Sequence, residues 1–364
     1  MKALILAGGF GTRLRPISCT RPKTLFPIIN KPLLQWILER LAKNNVTEAI
    51  LAVNHQTEIL IRHHRIQKCG VYITFSRDPP NKPLGTGGPI KKAEKLIGRD
   101  SNFLVLNGDI FADVNYTDIL KIHEKKDAVA TIVLHRVDDP SRYGVAELTK
   151  ENCIKNFIEK PPREAAPTNL INAGVYALSP KIFKYIPKAR TISLEREVFP
   201  KLVEERELYG YVFDGLWMDI GELEDYLKIN KTLLDSFAKQ QKRKISDKLS
   251  KRVKEPVAFD EGVSVGEKSV IGPYTVLGRN VKVGNNVHIK NSVIFSGTII
   301  SDFSSIDGAI IGEDAIIGKG TKIGRRCILG DHVKIKDNVV LVQDVSICPA
   351  KDVSESVLTP KCVV

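Results

Sequence analysis

The residues with the clearest chemical potential stand near the start of the chain. Leu6-Ala7-Gly8-Gly9-Phe10-Gly11-Thr12-Arg13 follows directly on the apolar run Ala3–Leu6. Gly8, Gly9 and Gly11 let the backbone turn tightly and bring N–H groups close to an anion. Arg13 adds a planar positive fork suited to phosphate oxygens. The spacing fits neither a Walker A loop nor a dinucleotide G-x-G-x-x-G fingerprint. Further on, Arg21-Pro22-Lys23 places Lys23 on a proline-stiffened loop. Two carboxylates stand in similar settings. Asp109, in Leu106-Asn107-Gly108-Asp109, lies at the end of the apolar run Phe103–Leu106, and Asp219 stands in Trp217-Met218-Asp219-Ile220-Gly221. Alone, each acid reads as a helix cap or turn residue, and a glycine-rich turn alone serves structure as readily as phosphate.

The elements that must position these groups fall into two halves. Up to about residue 236, apolar strand-like runs alternate with helical patterns. Ala3–Leu6, Ala49–Val53 and Phe103–Leu106 read as strands, and Leu34, Ile37, Leu38 and Leu41 fall at helical spacing within 33–43. Such alternation predicts parallel βαβ units in a three-layer α/β sandwich, with ligands beyond the carboxyl ends of the strands. After Pro256 a six-residue repeat takes over. Val265, Ile271, Leu277, Val283, Ile289 and Phe295 form one register, and Ile311, Ile317, Ile323, Leu329, Ile335 and Leu341 a second. The offset from Phe295 to Ile311 implies a shortened turn between them. Glycine follows the first four members of each run, as if to allow the corners. Hexapeptide repeats predict a parallel β-helix of about five coils. The expected fold class is therefore α/β, a Rossmann-like three-layer domain (1–236), a basic linker (237–256) and a left-handed parallel β-helix (257–364).

Composition narrows the class. The 364 residues are 43% hydrophobic and 27% charged, as in a soluble globular protein. No apolar run approaches the ~20 residues needed to cross a bilayer, and the N-terminus lacks a signal-peptide pattern, so a cytoplasmic location is expected. The six cysteines show no metal or disulfide spacing and read as reduced thiols. A net charge of +13 raises the question of nucleic acid. Eight Lys or Arg against one acid lie between Lys239 and Lys254, with no interleaved aromatic, which reads as a solvated linker.

LAGG-x-G-TRL-x-P, followed by Pro22-Lys23 and Asn30-Lys31-Pro32, resembles the signature of the sugar nucleotidyltransferase family. Thr24 departs from the proline more usual there. The resemblance covers nearly the whole chain, including the repeats. It implies transfer of a nucleotide onto a sugar phosphate with release of pyrophosphate, Arg13 and Lys23 being the catalytic cations. It implies that Leu6, Ala7, Gly8, Gly9, Gly11 and Thr12, with Gly85, Thr86 and Gly87 of Lys82-Pro-Leu-Gly-Thr-Gly-Gly, hold the nucleotide. Gly144, Glu159, Lys160 and Asn172 would face the sugar phosphate, and Asp109 and Asp219 would hold Mg²⁺. Ile192–Pro200 and Leu216–Gly221 are most similar to the mannose-1-phosphate guanylyltransferase group, implying GTP and mannose 1-phosphate as substrates and a homo-oligomer built through the β-helix. Transfer to glucose 1-phosphate from UTP or dTTP, and a regulatory paralogue that binds nucleotide sugar without turnover, are the alternatives. An acyltransferase using His288 or His332 of the repeats is a further one.

Overall fold

The N-terminal apolar run forms strand β1 (Lys2–Leu6), whose Ala3, Leu4 and Ile5 are fully buried, the mark of a strand covered on both faces. The computed structural model describes residues 1–363 except 10, 65, 67, 68, 80–82, 189 and 241–251. The chain divides into two units, Met1–Gly9 with Leu33–Asp219, and Phe10–Pro32 with Ile220–Val364. Most of the expected basic linker, and Lys82 of the Lys82–Gly88 motif, lie outside the described residues.

In the first unit the strands after β1 are β2 (Glu48–Val53), β3 (Tyr72–Arg77), β4 (Phe103–Asn107), β5 (Ile110–Ala112), β6 (Ala130–Arg136), β7 (Gly144–Leu148), β8 (Ile154–Glu159), β9 (Leu170–Leu178), β10 (Leu208–Val212) and β11 (Trp217–Asp219). The main sheet runs β8-β7-β9-β4-β1-β2-β3, with β6 pairing β9 and β10 pairing β6. Helix α1 (Leu33–Lys43) buries Leu34, Ile37, Leu38 and Leu41, as their spacing predicts. It stops where Asn45 takes a left-handed φ of 58° and the Asn44 amide donates to the Arg40 carbonyl at 2.9 Å. Helix α2 (His55–His63) starts under the Asn54 side chain, which accepts from the Thr57 N–H.

The expected parallel βαβ arrangement is found in β3-β2-β1-β4. Strand β9 runs antiparallel to β4, and β7 pairs antiparallel with β8. The five residues between β7 and β8 are too few for a parallel crossover, which needs a dozen or more. The sheet is therefore mixed.

The second unit stacks two- and three-residue strands into three parallel sheets, the arrangement of a parallel β-helix. One sheet carries Leu277, Ile294, Ile311 and Leu329 in register. The six-residue count seats Phe295 in that stack, but Ile294 occupies the place. The sides from Ile289 to Ile294 and from Ile306 to Ile311 hold five residues each, so partners lie 17 rather than 18 apart there. The shortening thus falls on the same side in two successive coils. Phe295, still buried, packs on Tyr226 of helix α3 (Leu223–Gln240), ring centroids 6.5 Å apart.

The repeat glycines also act differently from expectation. Except at Gly272, positive φ falls two residues later, as at Asn280, Asn286 and Asp314. What demands glycine is the next coil: a Cβ on Gly318 would stand 2.6 Å from the Asp337 N, and one on Gly312 2.6 Å from the Asp331 N. Among the described residues no helix is long and apolar enough to cross a membrane.

Candidate functional site

In the first unit the chemistry gathers where β1 and β4 end side by side. The chain leaves β1 toward β2 on one flank and returns later as β4 on the other, a topological switch point. Leu6 pairs with Asn107, the Ala7 N–H donates to the Ala52 carbonyl, and the Gly108 N–H donates to the Leu6 carbonyl, both at 2.9 Å. These bonds fix the start of the glycine turn beside Gly108-Asp109. Strand β11 then pairs with β5, setting Asp219 opposite Ile110, the residue after Asp109. The Trp217 indole N–H ties β11 to the Ala173 carbonyl at 3.0 Å. Two half-buried aspartates separated by 110 residues thus stand on adjoining segments of chain, Asp219 opposite the residue that follows Asp109. They form an all-oxygen pair suited to a hard divalent cation that completes its shell with phosphate oxygens and water. Among the described residues no cluster of three or more His, Cys, Asp or Glu forms a protein-only metal cage.

The expected sugar-side residues converge on the same strands. A bulge in β9 between Asn172 and Tyr176 carries Gly174 at φ 69°. A Cβ on Gly174 would meet Ile110 and the Asn107 amide, so glycine is required next to the Asp109 turn. The Asn172 carbonyl oxygen accepts from the Gly174 N–H at 2.9 Å, and its amide donates to the Tyr176 hydroxyl at 3.0 Å. These two bonds use one amide hydrogen and one lone pair of the side chain. Glu159, at the end of β8, lies opposite Gly144, whose missing side chain leaves room for the carboxylate. Burial pushes the Glu159 carboxyl above its ordinary range, with Glu195 adding to the rise and Lys160 opposing it. Lys160 holds a left-handed φ of 52° and donates its N–H to the Tyr143 carbonyl at 3.0 Å. For a long side chain that conformation is strained, and strain of this kind collects at working sites.

Gly85 and Gly87 were expected to admit a nucleobase. The close approach they permit in the fold is that of Ile192. The Gly87 N–H donates to the Ile192 carbonyl at 2.9 Å, and the Ile192 N–H to the Leu84 carbonyl at 3.0 Å. The Thr86 hydroxyl accepts from the Leu194 N–H at 2.9 Å and donates to Glu195 at 2.6 Å. The Leu84–Gly88 loop is thereby zipped to the segment that carries Glu195, whose charge bears on Glu159.

One acid in this region escaped the sequence reading. Asp78, just past β3, stands with one carboxylate oxygen 3.2 Å from where a Gly8 Cβ would be. Its other oxygen is buried and has no hydrogen-bond partner among the described residues. Burial pushes its pKa from 3.8 up to about 6, with Lys92 opposing. Nothing in Ser76-Arg77-Asp78-Pro79 signals this, because the neighbour is 70 residues away.

The second unit holds the rest of the signature. Gly11 has a φ of 59°, and a Cβ there would press on the Lys23 stem at 3.1 Å. The Ser18 hydroxyl donates to the Gly11 carbonyl at 2.7 Å. Lys23 is thus buried against the glycine turn, 9% exposed. Arg13 is open to solvent and pairs with Glu222 at 3.3 Å, an exposed contact that contributes little by itself. His288 and His332 lie on the outside of the coils, both exposed.

The model of the nucleotidyl transferase family matches residues 2–236, and that of the GMPPB C-terminal domain matches residues 253–363. The mannose-1-phosphate guanyltransferase of Saccharomyces cerevisiae is 40% identical over 251 residues, 68% of either chain. That of Schizosaccharomyces pombe is 39% identical over 272 residues, 73% of either chain. Among solved structures, UDP-glucose pyrophosphorylase in complex with UDP-glucose superposes with a TM-score of 0.56 at 25% identity, covering 66% of this chain and 99% of that one. HddC of Yersinia pseudotuberculosis gives 0.54 at 31% identity, covering 64% and 99%.

Proposed function

This chain belongs to the nucleotidyl transferase family, and we propose that it joins GTP to mannose 1-phosphate, giving GDP-mannose and pyrophosphate. What supports the reading is the strand register that sets Asp219 opposite Ile110, next to Asp109, beside the glycine turn at the β1–β4 switch point. A phosphate oxygen of the sugar attacks the α-phosphorus, the bond to the β-phosphate oxygen breaks, and pyrophosphate leaves. Such a transfer demands alignment and charge neutralisation more than covalent help. Asp109 and Asp219 would hold Mg²⁺, which when bound neutralises charge on the phosphates.

The remaining groups divide the work by charge. Backbone N–H groups of Gly8, Gly9 and Gly11 would cradle the triphosphate. Arg13 would turn from Glu222 to the charge that grows on the leaving pyrophosphate, and Lys23 would neutralise it from the other strand of the loop. Lys160 would meet the phosphate of the sugar. Glu159 and Asn172 would hydrogen-bond sugar hydroxyls, a polar readout that penalises a sugar lacking them. The guanine and mannose specificities rest on the curated relatives, which share about 40% of residues over two thirds of the chain.

Pyrophosphate release should be measured with purified full-length protein over GTP, ATP, UTP and dTTP, each with mannose 1-phosphate and glucose 1-phosphate. The expected outcome is highest kcat/KM for GTP with mannose 1-phosphate. A preference for UTP or dTTP with glucose 1-phosphate would overturn the specificity but keep the reaction type.

A further inference from the structure

The repeat corners of the β-helix follow a rule that one of them breaks. Asp302 and Asp337 each use a carboxylate oxygen to accept a backbone N–H of the preceding coil, from Asn285 and Lys319, at 2.7 Å. Asp331 does the same for the Glu313 N–H at 2.8 Å. Yet Asp337 is exposed, whereas Asp331 is only 3% exposed. Its second oxygen accepts from the Thr20 hydroxyl at 2.6 Å and from the Arg21 guanidinium at 2.7 Å. Arg21 gives another N–H to Glu313 at 2.8 Å and lies over the Phe295 ring, 5.0 Å from its centroid. At 5% exposure this arginine is buried, with both of its ion-pair partners on the β-helix.

Burial alone would lower the Arg21 pKa, but hydrogen bonds and charge from Glu313 and Asp331 raise it instead. Asp331 and the guanidinium thus sustain one another in a place where either left alone would be strongly disfavoured, and the partly exposed Glu313 adds a second carboxylate. The five-residue side that displaces Phe295 from the core stack supplies the ring under the guanidinium. Three further contacts hold the same loop. The Asn30 amide donates to the Leu277 carbonyl at 3.0 Å, Tyr226 donates to the Pro27 carbonyl, and Asn230 accepts from the Ile29 N–H at 2.9 Å.

What this anchors is the signature loop. Arg21 is joined to Lys23 through Pro22 alone, whose φ is held at −69° and which keeps the preceding residue extended. Movement of Arg21 therefore reaches Lys23 with little slack, and through Lys23 reaches Gly11. We propose that the β-helix takes part in the transfer reaction as a positioning element, with Asp331 and Glu313 holding Arg21 so that the loop presents Arg13 and Lys23. Arg21, Asp331 and Glu313 touch no substrate in this account and are positioning residues; the proposal rests on the proposed transfer for its kinetic readout.

The test compares Asp331→Asn, Glu313→Gln, Arg21→Lys and Thr20→Val with the wild-type full chain. Each is assayed for kcat and KM for GTP and mannose 1-phosphate, for Tm, and for hydrogen exchange across residues 12–25. Asp331→Asn keeps an oxygen for the Glu313 N–H, so the coils stay capped while the charge is lost. The expected result is a kcat at least tenfold lower, KM for mannose 1-phosphate within twofold, and faster exchange confined to the loop. Arg21→Lys should restore none of it, because a point charge cannot bridge two carboxylates. Thr20→Val should show the same pattern in milder form. An unchanged kcat with a lower Tm would make the cluster merely structural and overturn the proposal. Unchanged exchange in the loop would overturn it even if the wild type proved inactive on these substrates. Inactivity of the wild type with loosened loop exchange would instead count against the proposed substrates alone.

Discussion

Gly174 and Gly318 are both required by a close neighbour, but the neighbours differ in kind. At Gly174 they are Asn107 and Ile110, more than 60 residues away, beside the Asp109 turn. At Gly318 it is the backbone at Asp337, the same corner one coil later. The first unit builds its site from unique, long-range encounters, whereas the coils of the second repeat one local solution every 17 or 18 residues. Damage should therefore propagate differently. A change in the first unit that leaves the fold intact should show in turnover, and one in the β-helix core should show in stability.

The sharpest way to break that comparison is to remove the paired acids. Asp109→Asn and Asp219→Asn should each lower kcat by about 10²–10³-fold, the scale of losing a preorganised charge stabiliser. Their Tm should stay within a few degrees of wild type. Near-normal turnover at limiting Mg²⁺ in either would remove that acid from the metal site.

The converse case is Ile306→Ala in the β-helix. This side chain is 1% exposed in the core stack, and its loss should cost about 2–5 kcal/mol in urea unfolding. In a repeat array the effect should stay with adjoining coils. The kcat of the folded fraction should remain within about twofold, and a large loss would mean that the two kinds of damage do not separate.

Lys160→Gly should sharpen the comparison by moving stability and activity in opposite directions. Glycine relieves the left-handed strain, for a net gain of about 0.5–1 kcal/mol once its extra unfolded freedom is counted. Turnover should fall about tenfold or more through loss of the cation facing the sugar phosphate. A variant that gains stability without losing turnover would assign Lys160 to the turn alone.

At Asp78 the expected effect is confined to stability and its dependence on pH. A carboxyl whose folded pKa lies at about 6 against an ordinary 3.8 is best tolerated when protonated. Its contribution to stability is fully present below pH 4 and is lost as pH rises through 6. Asp78→Asn should therefore melt at the wild-type temperature near pH 4 and above it at pH 8. A Tm difference independent of pH would contradict the burial of that carboxylate.

How much of this was legible follows from the reach of each interaction. Helix α1 was readable because four leucines and isoleucines at helical spacing are a local signal. The β-helix was readable for the same reason, since each coil repeats its neighbour. A six-residue ruler nevertheless misplaced Phe295, because a five-residue side leaves no mark until the strands are paired. The strand alternation at the N-terminus speaks only for β1 to β4, so the antiparallel strands that follow left no mark in the pattern. Arg21 read as one more basic residue of the signature. Its partners lie 292 and 310 positions away, and no local pattern shows that Asp331 differs from Asp337. The glycine turn, both aspartates and the Glu159-Lys160 pair were visible as residue types. That Asp219 pairs beside Asp109 required the strand register.

The most direct test of the account is a structure of the full chain bound to GDP-mannose and Mg²⁺. The account expects the metal between Asp109 and Asp219, the mannose against Glu159 and Asn172, and Lys160 at the phosphate next to the sugar. A metal held elsewhere, or a sugar away from Glu159 with Asp109 and Asp219 facing no phosphate, would contradict it.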